Sequence, residues 1–187
     1  MSSLVRLGNA LGVAGIALVL LMAFGAQFAL KELPCPLCLL QRVAFTMCGF
    51  GFLLNLRFGS QPLHYGVILL GALFGAAAAG RHVLLHIVPG SGSYGSPLLG
   101  LHYYTWSFLL FLAVIVAVAV LLILSGGGRP EHDRFDARPA ARFSGVVRLV
   151  AYLLIGVTLA NVANSVVQCG FGECSDNPTS YWLLQRF

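Results

Sequence analysis

The stretch GLHYYTWSFLLFLAVIVAVAVLLILS, residues 100–125, carries no formal charge and decides the fold class. A helix needs about 20 apolar residues to cross a bilayer, and this stretch is long enough to do so. The whole chain agrees, because 58% of its 187 residues are hydrophobic, only 9% are charged and the mean hydropathy is +0.87. A soluble domain is about 25% charged. This composition therefore excludes both a water-soluble globule and a disordered chain.

Four further stretches have the length and composition of membrane spans: residues 7–30, 36–56, 63–88 and 146–168. The first is too long for the apolar region of a signal peptide and is followed by more spans, so we expect an uncleaved anchor. The sequence thus predicts an all-α integral membrane protein, a helical bundle of five transmembrane helices. We expect residues 1–125 to form a four-span core, 126–145 a cytoplasmic linker, and 146–187 the fifth helix with an outer tail.

The distribution of basic residues predicts the orientation of the bundle, since cytoplasmic loops are enriched in Lys and Arg. The side that holds the N-terminus carries seven arginines: Arg6, Arg57, Arg129, Arg134, Arg138, Arg142 and Arg148. The loops on the other side carry Lys31 and Arg186. We therefore expect the N-terminus in the cytoplasm and the C-terminus outside. The same clustering explains the net charge of +5 without a nucleic-acid partner.

Four of the five cysteines form two close pairs, and this topology puts both pairs on the outer side. Cys35 and Cys38 form a C-x-x-C at the start of span two. Such a pair can close an exchangeable disulfide, and the positive end of the helix dipole favours a thiolate there. We expect redox chemistry, with a static bridge or metal binding as the alternatives. Cys169 and Cys174, after span five, form either a partner-facing redox pair or a clamp on the tail.

Polar side chains near the outer ends of spans two and three are candidates for a binding site. Arg42 follows Cys38 by four residues, so it lies on the same helix face one turn deeper. A buried arginine in a span is costly and indicates a functional site, unless it extends to the lipid headgroups. Gln41 can donate hydrogen bonds to the same place.

Arg81 lies on span three near the depth of Arg42, and His82 and His86 lie near the outer edge of that span. We expect Arg81 to help bound a polar pocket for the oxygens of a quinone. His82 and His86 have a spacing that metals use. Because those spans carry no carboxylate, we expect these histidines to bind a quinone carbonyl or headgroups instead of a metal.

The motif Cys-Pro-Leu-Cys-Leu-Leu-Gln-Arg, residues 35–42, at the start of the second helix resembles the disulfide bond formation protein B (DsbB) family. The stretches GRHVLL (80–85) and SPLLGLH (96–102) are also similar, and the resemblance covers roughly residues 5–125. It implies a bacterial inner-membrane oxidase that takes electrons from a thioredoxin-fold partner such as DsbA. It implies that the electrons pass to a quinone, ubiquinone or menaquinone. By position, it assigns Cys38 and Arg42 to the quinone side and Cys35 to the exchange.

The chain departs from the family pattern in where its second cysteine pair lies. The best-known members have four spans and carry that pair in the outer loop between spans three and four. Here that loop, residues 89–99, has no cysteine, and Cys169 and Cys174 follow an added fifth span. We expect this pair to replace the missing one on the periplasmic face.

Three other functions fit parts of the sequence. One is a vitamin K epoxide reductase-like enzyme, but its C-x-x-C is expected near the end of a later span. Another is a metal-handling membrane protein that uses the four outer cysteines. The third is a conduit that carries electrons outward, because the residues do not fix the direction of transfer.

Overall fold

The computed structural model describes residues 3–88, 90, 92–126, 145–170, 172, 174–175 and 178–185. Within them, five helices are long and apolar enough to span a membrane: α1 (Ser3–Ala29), α2 (Pro36–Phe58), α3 (Pro62–Leu85), α4 (Tyr103–Gly126) and α5 (Gly145–Cys169). The predicted all-α bundle of five spans is therefore confirmed, and the chain is a multi-pass membrane protein. Residues 127–144 of the predicted linker, with four of the seven arginines, and Arg186 lie outside the described residues.

The start of α2 is fixed by its first four residues. Cys35 is the N-cap, and its sulfur accepts a hydrogen bond from the backbone N–H of Cys38 at 3.2 Å. Pro36 occupies the first turn, where its missing N–H removes no helical hydrogen bond. Arg57, in the last turn, carries a positive charge at the negative end of the helix dipole. The sequence therefore begins the helix at the cysteine pair and not before it.

The fourth span begins three residues later than its apolar run suggests. Two short strands, β1 (Pro97–Leu98) and β2 (Leu101–His102), pair antiparallel ahead of it. Leu99 and Gly100 form the turn with φ of 52° and 83°. Two successive positive φ values are typical of the type I′ turn, whose twist matches that of a hairpin. The indole N–H of Trp106 donates to the carbonyl of Leu98 at 2.9 Å and fastens the hairpin to α4.

The core lies where α2 packs against α1 and α3, and α3 packs against α4. The rings of Phe45 and Phe111 stack at its centre with 4.0 Å between centroids. Gly75 lets α4 approach α3 closely, because a Cβ there would overlap the Phe111 ring. The helix α5 packs against α1 and α2. It therefore adds to the side of the bundle that carries the cysteine motif.

A buried polar cluster joins α1, α2 and α3 at the other end of the bundle. The amide of Asn55 donates to Asn9 Oδ1 at 2.9 Å, and Asn55 Oδ1 accepts from His64 Nδ1 at 3.1 Å. Polar groups cut off from water must find partners within the protein. This cluster therefore ties the three helices together far from the cysteine pairs.

Candidate functional site

Two free thiols face each other at the start of α2. The sulfur atoms of Cys35 and Cys38 are 2.7 Å apart, and Cys35 is only 5% exposed. The imidazole of His82, from α3, is fully enclosed and places Nδ1 4.0 Å from the Cys35 sulfur. The pair thus lies in a sheltered niche between two helices, close enough for the two sulfurs to bond.

Cys35 is poised to ionise. The hydrogen bond from the Cys38 thiol, reinforced by His82, lowers the pKa of Cys35 to about 5, although burial acts in the opposite direction. Above that pH the thiolate predominates, whereas an ordinary cysteine, with a pKa of about 8.5, is largely protonated at neutral pH. The thiolate is the form that attacks a disulfide. Cys35 is therefore the reactive member of the pair at neutral pH.

We expect the alkylation rate of Cys35 in the reduced protein to be half-maximal near pH 5 and almost constant from pH 6 to 9. Iodoacetamide labelling, with fragmentation mass spectrometry to separate Cys35 from Cys38, measures this profile. His82→Phe keeps an aromatic ring at that position but removes the imidazole. This variant should move the midpoint to higher pH. A native rate that rises only through pH 8 to 9 would contradict the assignment.

A cavity of about 320 Å³ adjoins the thiols. Most of its wall is apolar and comes from α1, α2, α4 and the segment 94–99. Three polar residues of α2 also line it, namely Cys38, Gln41 and Arg42. Binding sites for small molecules have this character, with apolar walls and a few polar groups that fix orientation. The structure thus brings three of the predicted site residues to one cavity.

Gln41 lines this cavity and carries a buried donor without a partner in the described part of the chain. Its side chain is 4% exposed, and its Nε2 has no hydrogen-bond partner among the residues that the structure describes. A buried donor without a partner is destabilising by about 1–3 kcal/mol. A ligand with an acceptor atom would satisfy it.

The hairpin segment lines the cavity at the end of the bundle that carries the cysteine motif. The carboxylate of Glu32 accepts hydrogen bonds from the backbone N–H of Ser96 at 3.1 Å and from its hydroxyl at 2.6 Å. The hydroxyl of Tyr94 donates to the carbonyl of Leu33. Burial raises the pKa of Tyr94, so its hydroxyl stays protonated and keeps that bond. These contacts hold this segment against the turn between α1 and α2.

The histidines gather around Tyr104 and not around the cavity. The rings of His82, His86 and His102 lie 4.4, 5.4 and 5.3 Å from that of Tyr104. His86 is held by its own helix, since its Nδ1 donates to the carbonyl of His82 at 3.0 Å. Neither His82 nor His86 lines the cavity, although Tyr104 does. Their role at a quinone stays a prediction.

Arg81 is exposed and does not line the cavity. Successive residues of a helix are about 100° apart, so His82 and Arg81 cannot both face the same neighbour. His82 faces the bundle and is buried. The expectation that Arg81 shares a pocket with Arg42 therefore gains no support from the geometry.

The second cysteine pair, Cys169 and Cys174, is joined in a disulfide at the end of α5. The neighbouring residue Gln168 donates from Nε2 to the carbonyl of Pro34 at 2.7 Å. Pro34 directly precedes Cys35, so the two cysteine pairs are flanked by residues in direct contact. This contact places both pairs at the same end of the bundle.

We did not predict the polar face of α5 from the sequence. Asn161, Asn164 and Gln168 are all at most 8% exposed, and Asn161 contacts Arg42. Their spacing of i, i+3 and i+7 puts them on one face of the helix. Three amides on one face of an otherwise apolar span were the signal that could have revealed them.

Within the described residues, three possible metal ligands lie together. Cys35, Cys38 and His82 place their ligand atoms within 4.8 Å of one another. Cys169 and Cys174 are bonded to each other, so the centre of four cysteines considered from the sequence is not assembled here. The metal alternative rests on two sulfurs and one nitrogen.

Comparisons with known proteins fit this site. Residues 5–96 match the family model "Disulfide bond formation protein DsbB". Disulfide bond formation protein B of Xylella fastidiosa is 40% identical over 72 residues, which cover 35% of this chain and 42% of that protein. The protein of the same name from Chromohalobacter salexigens is 33% identical over 90 residues, or 46% of this chain and 52% of that protein.

A third relative of that name, from Nitrosomonas eutropha, is 40% identical over 78 residues, covering 40% of this chain and 44% of that protein. The chain thus matches about half the length of these curated relatives. No solved structure matches it significantly. The matched part contains α1, α2 and α3 with the C-x-x-C motif, while α4 and α5 follow it. Through residues 5–96, the chain belongs to the disulfide bond formation protein DsbB family.

Proposed function

We propose that this protein is a membrane thiol oxidase, a protein-dithiol:quinone oxidoreductase. It reoxidises a DsbA-like thioredoxin-fold protein of the periplasm and passes the electrons to membrane quinone, which sustains disulfide bond formation. One observation carries the proposal: Cys38, Gln41 and Arg42 line a single apolar cavity, and the sulfur of Cys35 is 2.7 Å from that of Cys38. The names of the curated relatives support the same chemistry.

The cavity residues fit a quinone, which has an apolar ring and two carbonyl acceptors. The unpartnered Nε2 of Gln41 is a donor for one carbonyl oxygen, and Arg42 adds a positive charge beside it. The apolar wall suits the ring, and the volume of about 320 Å³ is typical of small-molecule sites. These properties support ubiquinone and menaquinone alike.

The Cys35–Cys38 pair passes its electrons to the quinone. When the Cys35 thiolate and the Cys38 thiol form their disulfide, they release two electrons and the one proton of Cys38. A bound quinone would accept these, take a second proton from water and become quinol. Cys38 is the member of the pair that lines the cavity. Arg42, one turn deeper than Cys38, interacts electrostatically with both cysteines and stabilises negative charge on the pair. The protein supplies position and electrostatics, and the quinone supplies the electron chemistry.

The second pair connects the first one to the protein partner. A thiolate of the reduced partner attacks the Cys169–Cys174 disulfide, and a mixed disulfide forms. The partner's second thiolate resolves it, which releases the oxidised partner and leaves two thiols on the tail. The thiols of Cys169 and Cys174 then exchange with the Cys35–Cys38 disulfide, which is thereby reduced. The contact between Gln168 and Pro34 supports this route, because it keeps the two pairs near each other.

We propose that the protein lies in a bacterial inner membrane, with the end of the bundle that carries both cysteine pairs on the periplasmic side. The arginine distribution supports a cytoplasmic N-terminus. Disulfides also persist in the periplasm, whereas the cytosol keeps thiols reduced.

Fluorescence of Trp106 tests the cavity directly, since this residue lines it. The chain has two tryptophans, and Trp182→Phe leaves Trp106 as the reporter. Short-chain ubiquinone or menaquinone should quench it in a saturable way. Gln41→Leu should raise the dissociation constant for quinone about tenfold, which corresponds to the loss of one hydrogen bond.

Thr46→Val is the matched control, because Thr46 lies one turn beyond Arg42 on α2 and its hydroxyl donates to the backbone carbonyl of Arg42 at 2.9 Å. This variant should bind quinone as tightly as the native protein. Quenching that is linear in quinone concentration and equal in all variants would contradict a quinone site in the cavity.

Metal handling is a second candidate, favoured by the cluster of Cys35, Cys38 and His82. Elemental analysis of the protein purified under reducing conditions separates the two functions. About one bound zinc ion per chain, lost in His82→Phe, would favour the metal. A tightly associated quinone would favour the oxidase.

A further inference from the structure

The helix α5 carries buried amides that reach into the site. Asn161 is 7% exposed, Asn164 8% and Gln168 4%. Amide side chains in a membrane span are destabilising unless they find partners. All three lie beyond residues 5–96, the part that matches the family model. Their partners therefore show what the added helix contributes.

The side-chain amide of Asn161 donates from Nδ2 to the carbonyl of Val157 at 2.8 Å, and its oxygen accepts from the guanidinium of Arg42. Nη1 of Arg42 donates to Asn161 Oδ1 and to Gln27 Oε1, both at 3.0 Å. Nη2 donates to the carbonyl of Ala23 at 3.0 Å. Three acceptors on α1 and α5 thus hold the end of a side chain that belongs to α2.

A second amide supports this arrangement. Gln27 donates from Nε2 to Asn164 Oδ1 at 2.8 Å, and Asn164 Nδ2 donates back to Gln27 Oε1 at 3.3 Å. Asn164 therefore orients the same oxygen that accepts from Arg42. The two asparagines of α5 act on the guanidinium, one by direct contact and one through Gln27.

The three acceptors of Arg42 are all neutral. A carboxylate in the place of Asn161 would hold the guanidinium but would also cancel its charge. An amide oxygen fixes the direction of the side chain and leaves the full positive charge available. Arg42 lines the cavity one turn below Cys38, so this charge acts where a thiolate and a ligand oxygen would lie.

We propose that Asn161 is a positioning residue that holds the Arg42 charge beside Cys38, so that the fifth helix tunes the Cys35–Cys38 pair. The inference deepens the proposed function and rests on it for its biological purpose. A cation near the pair stabilises the thiolate and so favours the reduced form. Without Asn161 the guanidinium keeps only Gln27 and the carbonyl of Ala23 as acceptors and is held less firmly beside Cys38, so the balance moves toward the disulfide.

The test measures the equilibrium of Cys35–Cys38 with a glutathione redox buffer, in a background where Cys169 and Cys174 are alanine. Quinone is absent from this measurement. Asn161→Leu should shift the equilibrium constant about fivefold toward the disulfide. Asn161→Asp should shift it in the same direction, because the carboxylate neutralises the cation. Asn161→Gln, which keeps an amide acceptor, should restore the native value within about twofold.

Thr158→Val is the matched control on α5, since its buried hydroxyl has no hydrogen-bond partner in the described part of the chain. This variant should leave the constant unchanged. Thermal unfolding of every variant separates positioning from stability. If Asn161→Leu lowers the melting temperature but leaves the constant at its native value, Asn161 is structural and the proposal is wrong.

The positioning role of Asn161 and the proposed quinone site can fail independently of each other. A shifted constant without saturable quenching of Trp106 would keep the positioning role and reject the quinone site. Normal quenching with an unshifted constant in Asn161→Leu and Asn161→Asp would reject the positioning role alone.

Discussion

Replacing Cys38 with serine should lower quinone reduction by a reduced thiol partner at least about 1000-fold, as the loss of a reacting nucleophile does in other enzymes. Cys38 lines the cavity and lies 2.7 Å from Cys35, so its sulfur is the contact between the pair and a bound ligand. Serine keeps the shape but cannot form a disulfide. The measurement is quinol formation in detergent, with reduced partner in excess.

Cys48→Ala is the control for this loss. Cys48 is fully buried in α2, and its thiol contacts the carbonyl of Ile68 at 3.5 Å, away from the cavity. This variant should keep nearly native turnover, since alanine also fills an apolar site. Turnover at the native rate in Cys38→Ser would exclude the first pair from the reaction.

Replacing Cys174 with serine should abolish oxidation of the protein partner while leaving the first pair active. In the proposed route this variant has no second disulfide to attack, so electrons from the partner would have no entry. Oxidation of the reduced Cys35–Cys38 pair by added quinone should proceed at the native rate. Thiol trapping followed by mass spectrometry reports the state of each cysteine.

A small dithiol is the matched electron donor for this experiment. It can reduce Cys35–Cys38 directly, and the variant should then reduce quinone as the native protein does. If the protein partner is also oxidised at the native rate, the Cys169–Cys174 disulfide is only a clamp on the tail. If both donors fail, the substitution has damaged the fold and not the exchange.

The spans and the cysteine motif could be predicted because they depend on local properties. Length and apolar composition place a helix in a bilayer, and Cys35 with Pro36 sets where α2 begins. Arg42 was expected on the face of Cys38 from the spacing of four residues alone, and both line the cavity. Such inferences need only one helix.

Contacts between distant segments could not be predicted in this way. The partners of Arg42 on α1 and α5 are separated from it by 19, 15 and 119 positions, and no local pattern specifies them. The positions of Arg81 and His82 depend on which face of α3 meets its neighbours, and the apolar run hides that face. Only the second strand of the hairpin was included in the predicted fourth span, because residues 100–125 carry no formal charge.

One segment of the chain covers the cavity, and a different segment carries the second disulfide. Glu32 and Tyr94 hold the segment 94–99 over the cavity, and this segment contains no cysteine. The disulfide instead belongs to the C-terminal tail. In the function that we propose, substitutions near the tail disulfide would change the contact with the protein partner without altering the segment over the cavity. Recognition of the partner and binding of the electron acceptor would then be adjustable one at a time.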